Sequence, residues 1–158
     1  MNYIIDGYNL IFAEPSLAKL LQNHSEDARR NLLVRLSNFH IHKKHNITVV
    51  FDGKMGIIGT EKPPPGLNVI FTKNESADAH IIKLIQNSRK PKEMVIVTSD
   101  FKDIGHFAQQ MGVLVLTSEE FLEQLDQVEK KNKGRPEKPE TVSEAEINYW
   151  LKQFGKRD

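Results

Sequence analysis

At 158 residues, with 39% hydrophobic and 27% charged residues, the chain has the length and composition of a soluble protein with one full-sized core. A net charge of +1 excludes a globally basic nucleic-acid binder, so any such surface has to be local. The absence of cysteine excludes a disulfide framework and a Cys-ligated zinc site. The first residues carry no basic-then-apolar leader, and no apolar run approaches membrane-spanning length. A cytoplasmic protein with no membrane partner is expected.

Taken in order, Tyr3 to Ile5 is a short apolar run bounded by Gly7 and reads as a buried strand. Asp6 falls at its end. A short helix can begin at Glu14-Pro15 and run through Gln22. Ser25-Glu26-Asp27 opens an amphipathic helix (Ala28, Leu32, Leu33, Leu36, Phe39) that ends near Lys43-Lys44. Ile47 to Phe51 is a second strand running into Asp52-Gly53. The segment from Lys54 to Gly66 contains Pro63-Pro64-Pro65 and is a loop. Val69 to Phe71 is a third strand. Ala77 to Ile85 is a helix whose start Thr72 and Glu75 can box.

Met94 to Val97 is a continuous apolar run, as expected of a strand buried on both faces, and it leads into Thr98-Ser99-Asp100. Phe101 to Met111 reads as helix closing at Gly112, and Val113 to Leu116 as another buried strand. Thr117 with Glu120 opens a last helix of the domain. Strands alternating with helices of this length define an α/β domain around a mainly parallel sheet, over residues 1–127. Residues 128–142 read as a basic linker. Residues 143–158 read as a C-terminal amphipathic helix with Ile147, Trp150, Leu151 and Phe154 in one stripe.

Asp6, Asp52 and Asp100 each follow an apolar strand, and parallel neighbours would place all three on one rim. Asp78 lies a turn into a helix that follows a strand, and Asp103 lies a turn beyond Asp100. Each has a structural reading as well: a turn with Gly53 for Asp52, a helix cap for Asp100, a first-turn acid for Asp78. Together they are costly, because two carboxylates about 5 Å apart repel by roughly 3 kcal/mol at an effective dielectric near 20. Hard divalent cations with oxygen ligands relieve that cost, which points to Mg2+ or Mn2+. A pair of such ions can activate water and stabilise the leaving oxygen in phosphodiester cleavage.

Asp6-Gly7-Tyr8-Asn9, Val50-Phe51-Asp52, Ser76-Ala77-Asp78 and Thr98-Ser99-Asp100 together resemble the NYN-domain ribonucleases of the PIN-like nuclease group, and most of all the YacP-like branch. The resemblance covers about residues 1–127. It implies a PIN-like three-layer α/β/α fold and a divalent-metal-dependent endoribonuclease, with mRNA on the ribosome as the substrate suggested by that branch. Carried over by position, Asp6, Asp78 and Asp100 would be metal-binding and catalytic. Asn9 would orient a metal-bound water or a phosphate. Asp103 and Asp52 would be further metal-binding carboxylates.

The RNA backbone also needs cations. Lys54, Lys62, Lys73 and Lys102 lie near the proposed rim, and Arg29, Arg30 and Arg35 are further candidates. The run Lys130 to Lys138 reads as a plain linker or as an arm for RNA or ribosome. His40 and His42 point about 200° apart on a helix and cannot share a metal, so they read as surface residues. No Gly-x-Gly-x-x-Gly follows the first strand, and Tyr8 stands where a haloacid-dehalogenase-type phosphatase has its second Asp; no nucleotide cofactor is expected. Two rivals to the endoribonuclease stand: a non-catalytic RNA- or ribosome-binding module of the same fold, and a structure-specific DNA nuclease. Oligomeric state has no signal in the sequence.

Overall fold

A computed structural model describes residues 1–53 and 62–133. Lys54 and the C-terminal helix expected over 143–158, Trp150 included, lie outside the described residues. Five parallel strands, β1 (Asn2–Asp6), β2 (Asn46–Phe51), β3 (Leu67–Phe71), β4 (Met94–Val97) and β5 (Leu114–Leu116), form one sheet in the order β3-β2-β1-β4-β5. The chain steps outward from β1 through β2 to β3, then returns to the other side of β1 for β4. Ligand crevices in open α/β sheets form at such a reversal, outside the carboxyl ends of the two strands that flank it. Here those ends are Asp6 and the Thr98-Ser99-Asp100 segment.

Among the described residues six α-helices flank the sheet: α1 (Gly7–Ala13), α2 (Pro15–Asn23), α3 (Ser25–Lys43), α4 (Ala77–Gln86), α5 (His106–Gln110) and α6 (Ser118–Lys133). Alternation along the strands divides the core into two layers. Tyr3, Ile5, Val49, Phe51 and Val97 pack with Leu32, Leu36, Phe39 and Phe121 on the side of α1, α3 and α6. Ile4, Val50 and Ile96 pack with Ile81, Ile85, Ile104 and Ala108 on the side of α4 and α5. The result is a three-layer α/β/α domain with helices on both faces of the sheet.

The structure corrects several expectations. Leu10-Ile11-Phe12, to which the sequence assigns no element, belongs to α1, which starts directly on leaving β1; Gly7 permits this, because a Cβ there would meet the Phe51 ring at 2.5 Å. Helix α4 is capped by Ser76, whose hydroxyl accepts from the Ala79 N–H at 3.1 Å, and not by a Thr72–Glu75 box. The Thr72 hydroxyl accepts from the Gly53 N–H instead, tying the ends of β2 and β3 together. The segment after Asp100 begins as a π-type turn over Phe101–Gly105 before α5. Strand β5 is an edge strand with Leu114 exposed, not a buried one. Helix α6 runs on through Lys133, so residues 128–133 of the expected linker are helical, and Val128 is anchored in the core. At the start of α6 the Thr117–Glu120 box is formed in both directions, at 3.0 and 2.9 Å.

Candidate metal centre

Asp78, Asp100 and Asp103 bring one carboxylate oxygen each to within 4.8 Å of one another. Three different local devices place them. Asp78 is in the first turn of α4, where the helix dipole favours an acid. Asp100 leaves β4 and caps the turn that follows, its Oδ1 accepting from the Asp103 N–H at 3.2 Å. That turn carries Asp103 back to the same side. The structural reading of Asp100 as a cap and its place among the clustered acids are therefore both realised.

Asp6 is not a member of this tight group, yet it belongs to the same electrostatic site. It is only 8% exposed at the end of the central strand. Burial raises its carboxyl to about 7, the charge of Asp78 adds to the rise, the backbone N–H of Asn9 opposes it, and Asp100 and Asp52 push it further up. Asp78 is raised to about 6, first by burial, then by the charge of Asp100 and a hydrogen bond with it, and then by Asp103 and Asp52. Asp78, Asp100 and Asp52 thus act on Asp6, and Asp100, Asp103 and Asp52 on Asp78, with Asp52 the half-buried outlier at the end of β2.

Asn9 has a defined place. Its Oδ1 accepts from the Ser99 N–H at 2.9 Å and from the buried Ser118 hydroxyl at 2.6 Å. Ser99 Oγ in turn accepts from the Ser118 N–H at 3.2 Å and donates to the Glu119 carboxylate at 3.0 Å. The Asp100 N–H is held by Thr98 Oγ1 at 3.0 Å. Helix α1 and the start of α6 thus clamp the segment that presents Asp100. Ser99, Ser118 and Glu119 escape a reading of the sequence, where Ser118 and Glu119 look only like the opening of a helix.

The basic candidates divide. Lys62, Lys73 and Lys102 are exposed. Arg29, Arg30 and Arg35 are otherwise engaged. Arg29 is buried with its guanidinium 5.6 Å from the centre of the Phe71 ring. Arg30 pairs with Glu26 and Asp27. Arg35 joins Glu14, Asp126 and Glu129 at 3.5, 2.8 and 2.7 Å, which fastens α3 to α6 and to the turn before α2. His40 is half-buried rather than on the surface, its Nδ1 2.6 Å from the His45 carbonyl oxygen and its ring against Gly66. No described helix is long and apolar enough to cross a membrane.

A parallel sheet of order 3-2-1-4-5 with carboxylates gathered where its order reverses defines an α/β protein with an acidic, oxygen-rich centre. The donor set, all carboxylate oxygens, fits a hard divalent cation. The YacP-like NYN domain matches residues 3–155, and the chain belongs to that family, a branch of the PIN-like nucleases, which generally use divalent metals. It is 32% identical over 139 residues to the uncharacterized protein YacP of Bacillus subtilis (strain 168), covering 85% of this chain and 81% of that one. Its fold is similar to the crystal structure of Rae1 (YacP) from Bacillus subtilis, with a TM-score of 0.77 at 28% identity over 96% of this chain and 93% of that one. A crystal structure of a mutant of the same protein gives 0.74 at 29% identity, over 99% and 97%.

Proposed function

We propose that this chain is a divalent-metal-dependent endoribonuclease that hydrolyses RNA phosphodiester bonds in the cytoplasm, with mRNA on the ribosome as its substrate. The observation that carries the reading is the cluster of Asp78, Asp100 and Asp103 within 4.8 Å, with buried Asp6 held beside it. A phosphate-binding cleft without metal would not gather carboxylates, since they repel the ligand. Asp78, Asp100 and Asp103 are assigned as metal-binding residues, with Asp6 as a further carboxylate facing the same charge. Asp52 adds negative potential from the neighbouring strand end. Bound there, Mg2+ or Mn2+ would polarise a phosphodiester oxygen and ease deprotonation of the attacking water.

The chain's own residues do the remaining work. The Asn9 oxygen is committed to Ser99 and Ser118, so Asn9 acts by fixing the loop that presents Asp100. Lys73, before α4, and Lys102, beside Asp100, are assigned to phosphates of the RNA strand, as is Lys54 from its position in the sequence. The test is cleavage of RNA and of DNA by the purified chain, with and without Mg2+ and ribosomes, alongside Asp78→Asn and Asp100→Asn. Metal-dependent RNA cleavage lost in both variants supports the reading. Equal cleavage by all three proteins, or tight RNA binding with no metal bound at millimolar concentration, overturns it.

A further inference from the structure

One cavity among the described residues lies away from the acidic rim. It measures about 500 Å³ and opens at the other end of the strands, among Tyr3 of β1, the last turn of α3, His45 before β2, and α6. Tyr3 and Asp6 are three residues apart on one strand, roughly 10 Å, and His45 precedes β2 while Asp52 follows it. The cavity is walled by His42, Lys43, His45 and Lys131, and among the described residues no carboxylate lines it. None of these four makes an ion pair among the described residues.

Cations in the last turn of a helix answer its exposed carbonyls. Taken singly, that accounts for His42 and Lys43 in α3 and for Lys131 in the last described turn of α6, but not for both helix ends facing one hollow with no carboxylate among its described lining residues. Two unconnected elements therefore bring positive charge to one hollow. His45 is held below the ordinary histidine range, by burial first and then by the N-terminal amine and Lys43, so the positive charge of the hollow comes from Lys43 and Lys131. The half-buried His45 ring lines the hollow, backed by the buried Tyr3 ring 5.1 Å away between centroids. Gln124 and Gln127 add amide groups able both to donate and to accept.

We propose that this cavity is a binding site for a phosphate-bearing nucleotide, separate from the acidic centre, with Lys43 and Lys131 meeting the phosphate. A volume of about 500 Å³ suits a small organic ligand rather than a bare phosphate. Aromatic rings beside cations and amides suit a base joined to an anion. The nucleotide is either free or the end of an RNA strand, and the site does not depend on the nuclease reading.

The test is titration of the full-length protein in EDTA, followed by the imidazole NMR signals of His42 and His45 and by calorimetry. The probes are uridine, uridine 5′-monophosphate, inorganic phosphate, sulfate and a short 5′-phosphorylated oligouridylate. Uridine monophosphate is expected to bind and uridine not, with affinity falling about tenfold or more in Lys43→Gln/Lys131→Gln at unchanged circular dichroism. An oligomer that binds far more tightly than the monophosphate assigns the site to an RNA end, and equal binding assigns it to free nucleotide. Sulfate binding as tightly as the monophosphate, no shift at millimolar ligand, or undiminished binding by the double variant overturns the proposal.

Discussion

Asp6→Asn tests the electrostatics of the site without any substrate. In the metal-free protein Asp6 is raised to about 7 by burial first and by Asp78 second. The unfolded chain gives up this proton near pH 3.9. Above that pH the native state holds more protons than the unfolded state, so stability falls as pH rises. The contribution is fully present below about pH 4 and gone above about pH 7. Raising the carboxyl from 3.8 to about 7 corresponds to about 4 kcal/mol for this buried group. Asn has nearly the same shape and no charge to desolvate. Asp6→Asn should therefore match the wild type at pH 4 and exceed it at pH 8 by about 2–4 kcal/mol in EDTA. For a chain of this size that is roughly 4–16 °C in Tm. Urea and thermal unfolding at both pH values read it directly. Mg2+ should recover stability in the wild type at pH 8 by binding only the folded state, and less in the variant. A variant that is equally or less stable than the wild type at pH 8 in EDTA would refute the reasoning.

Further outcomes follow from the same geometry. Asp78→Asn and Asp100→Asn should each weaken Mg2+ binding at least about tenfold, measured by calorimetry, because each removes one of three clustered donors. Ser118→Ala removes the 2.6 Å bond to Asn9 and should cost about 0.5–1.5 kcal/mol of stability, because the Asn9 oxygen keeps the Ser99 N–H; if Asn9 works through the Asp100 loop, Mg2+ affinity falls with it. Gly7→Ala forces a Cβ to within 2.5 Å of the Phe51 ring, and overpacking of this kind costs about 1–3 kcal/mol in denaturant unfolding. Arg35→Met leaves Glu14, Asp126 and Glu129 without their shared partner, and fraying of α6 should appear as faster amide exchange in that helix.

Much of this fold was legible because its signals are local. Met94 to Val97 is apolar throughout, as a central parallel strand must be, and all four residues are buried. Ser25-Glu26-Asp27 opens α3 and the Lys43-Lys44 pair closes it. What escaped the sequence depends on contacts made across the chain. Helix α1 follows β1 with no intervening loop, and the nearby Phe51 ring and Val49 side chain explain why a glycine stands at the joint. Arg29 looked like a surface cation by composition, but its place on the inner face of α3 puts it beneath Phe71. The edge position of β5 could not be read from Val113 to Leu116, because strand order is a property of the whole sheet.

The acids show the same division at finer scale. That Asp6, Asp78 and Asp100 would converge follows from the rule that strand ends in a parallel sheet share a rim; Asp78 and Asp100 bring carboxylate oxygens within 4.8 Å, and the charges of both raise the Asp6 carboxyl. Which carboxylates come closest is a different matter, decided by side-chain depth. Asp6 is attached to the central strand and sinks into the core, whereas Asp103 rides a turn that Asp100 itself caps and so swings back to Asp78. The deep carboxylate is therefore the one most raised, and the three shallower ones form the closest set of oxygens. On the function proposed above, two tasks that sequence position alone would merge fall to different residues: Asp78, Asp100 and Asp103 would hold the cation, and Asp6 would add negative charge at the end of the central strand once it ionises.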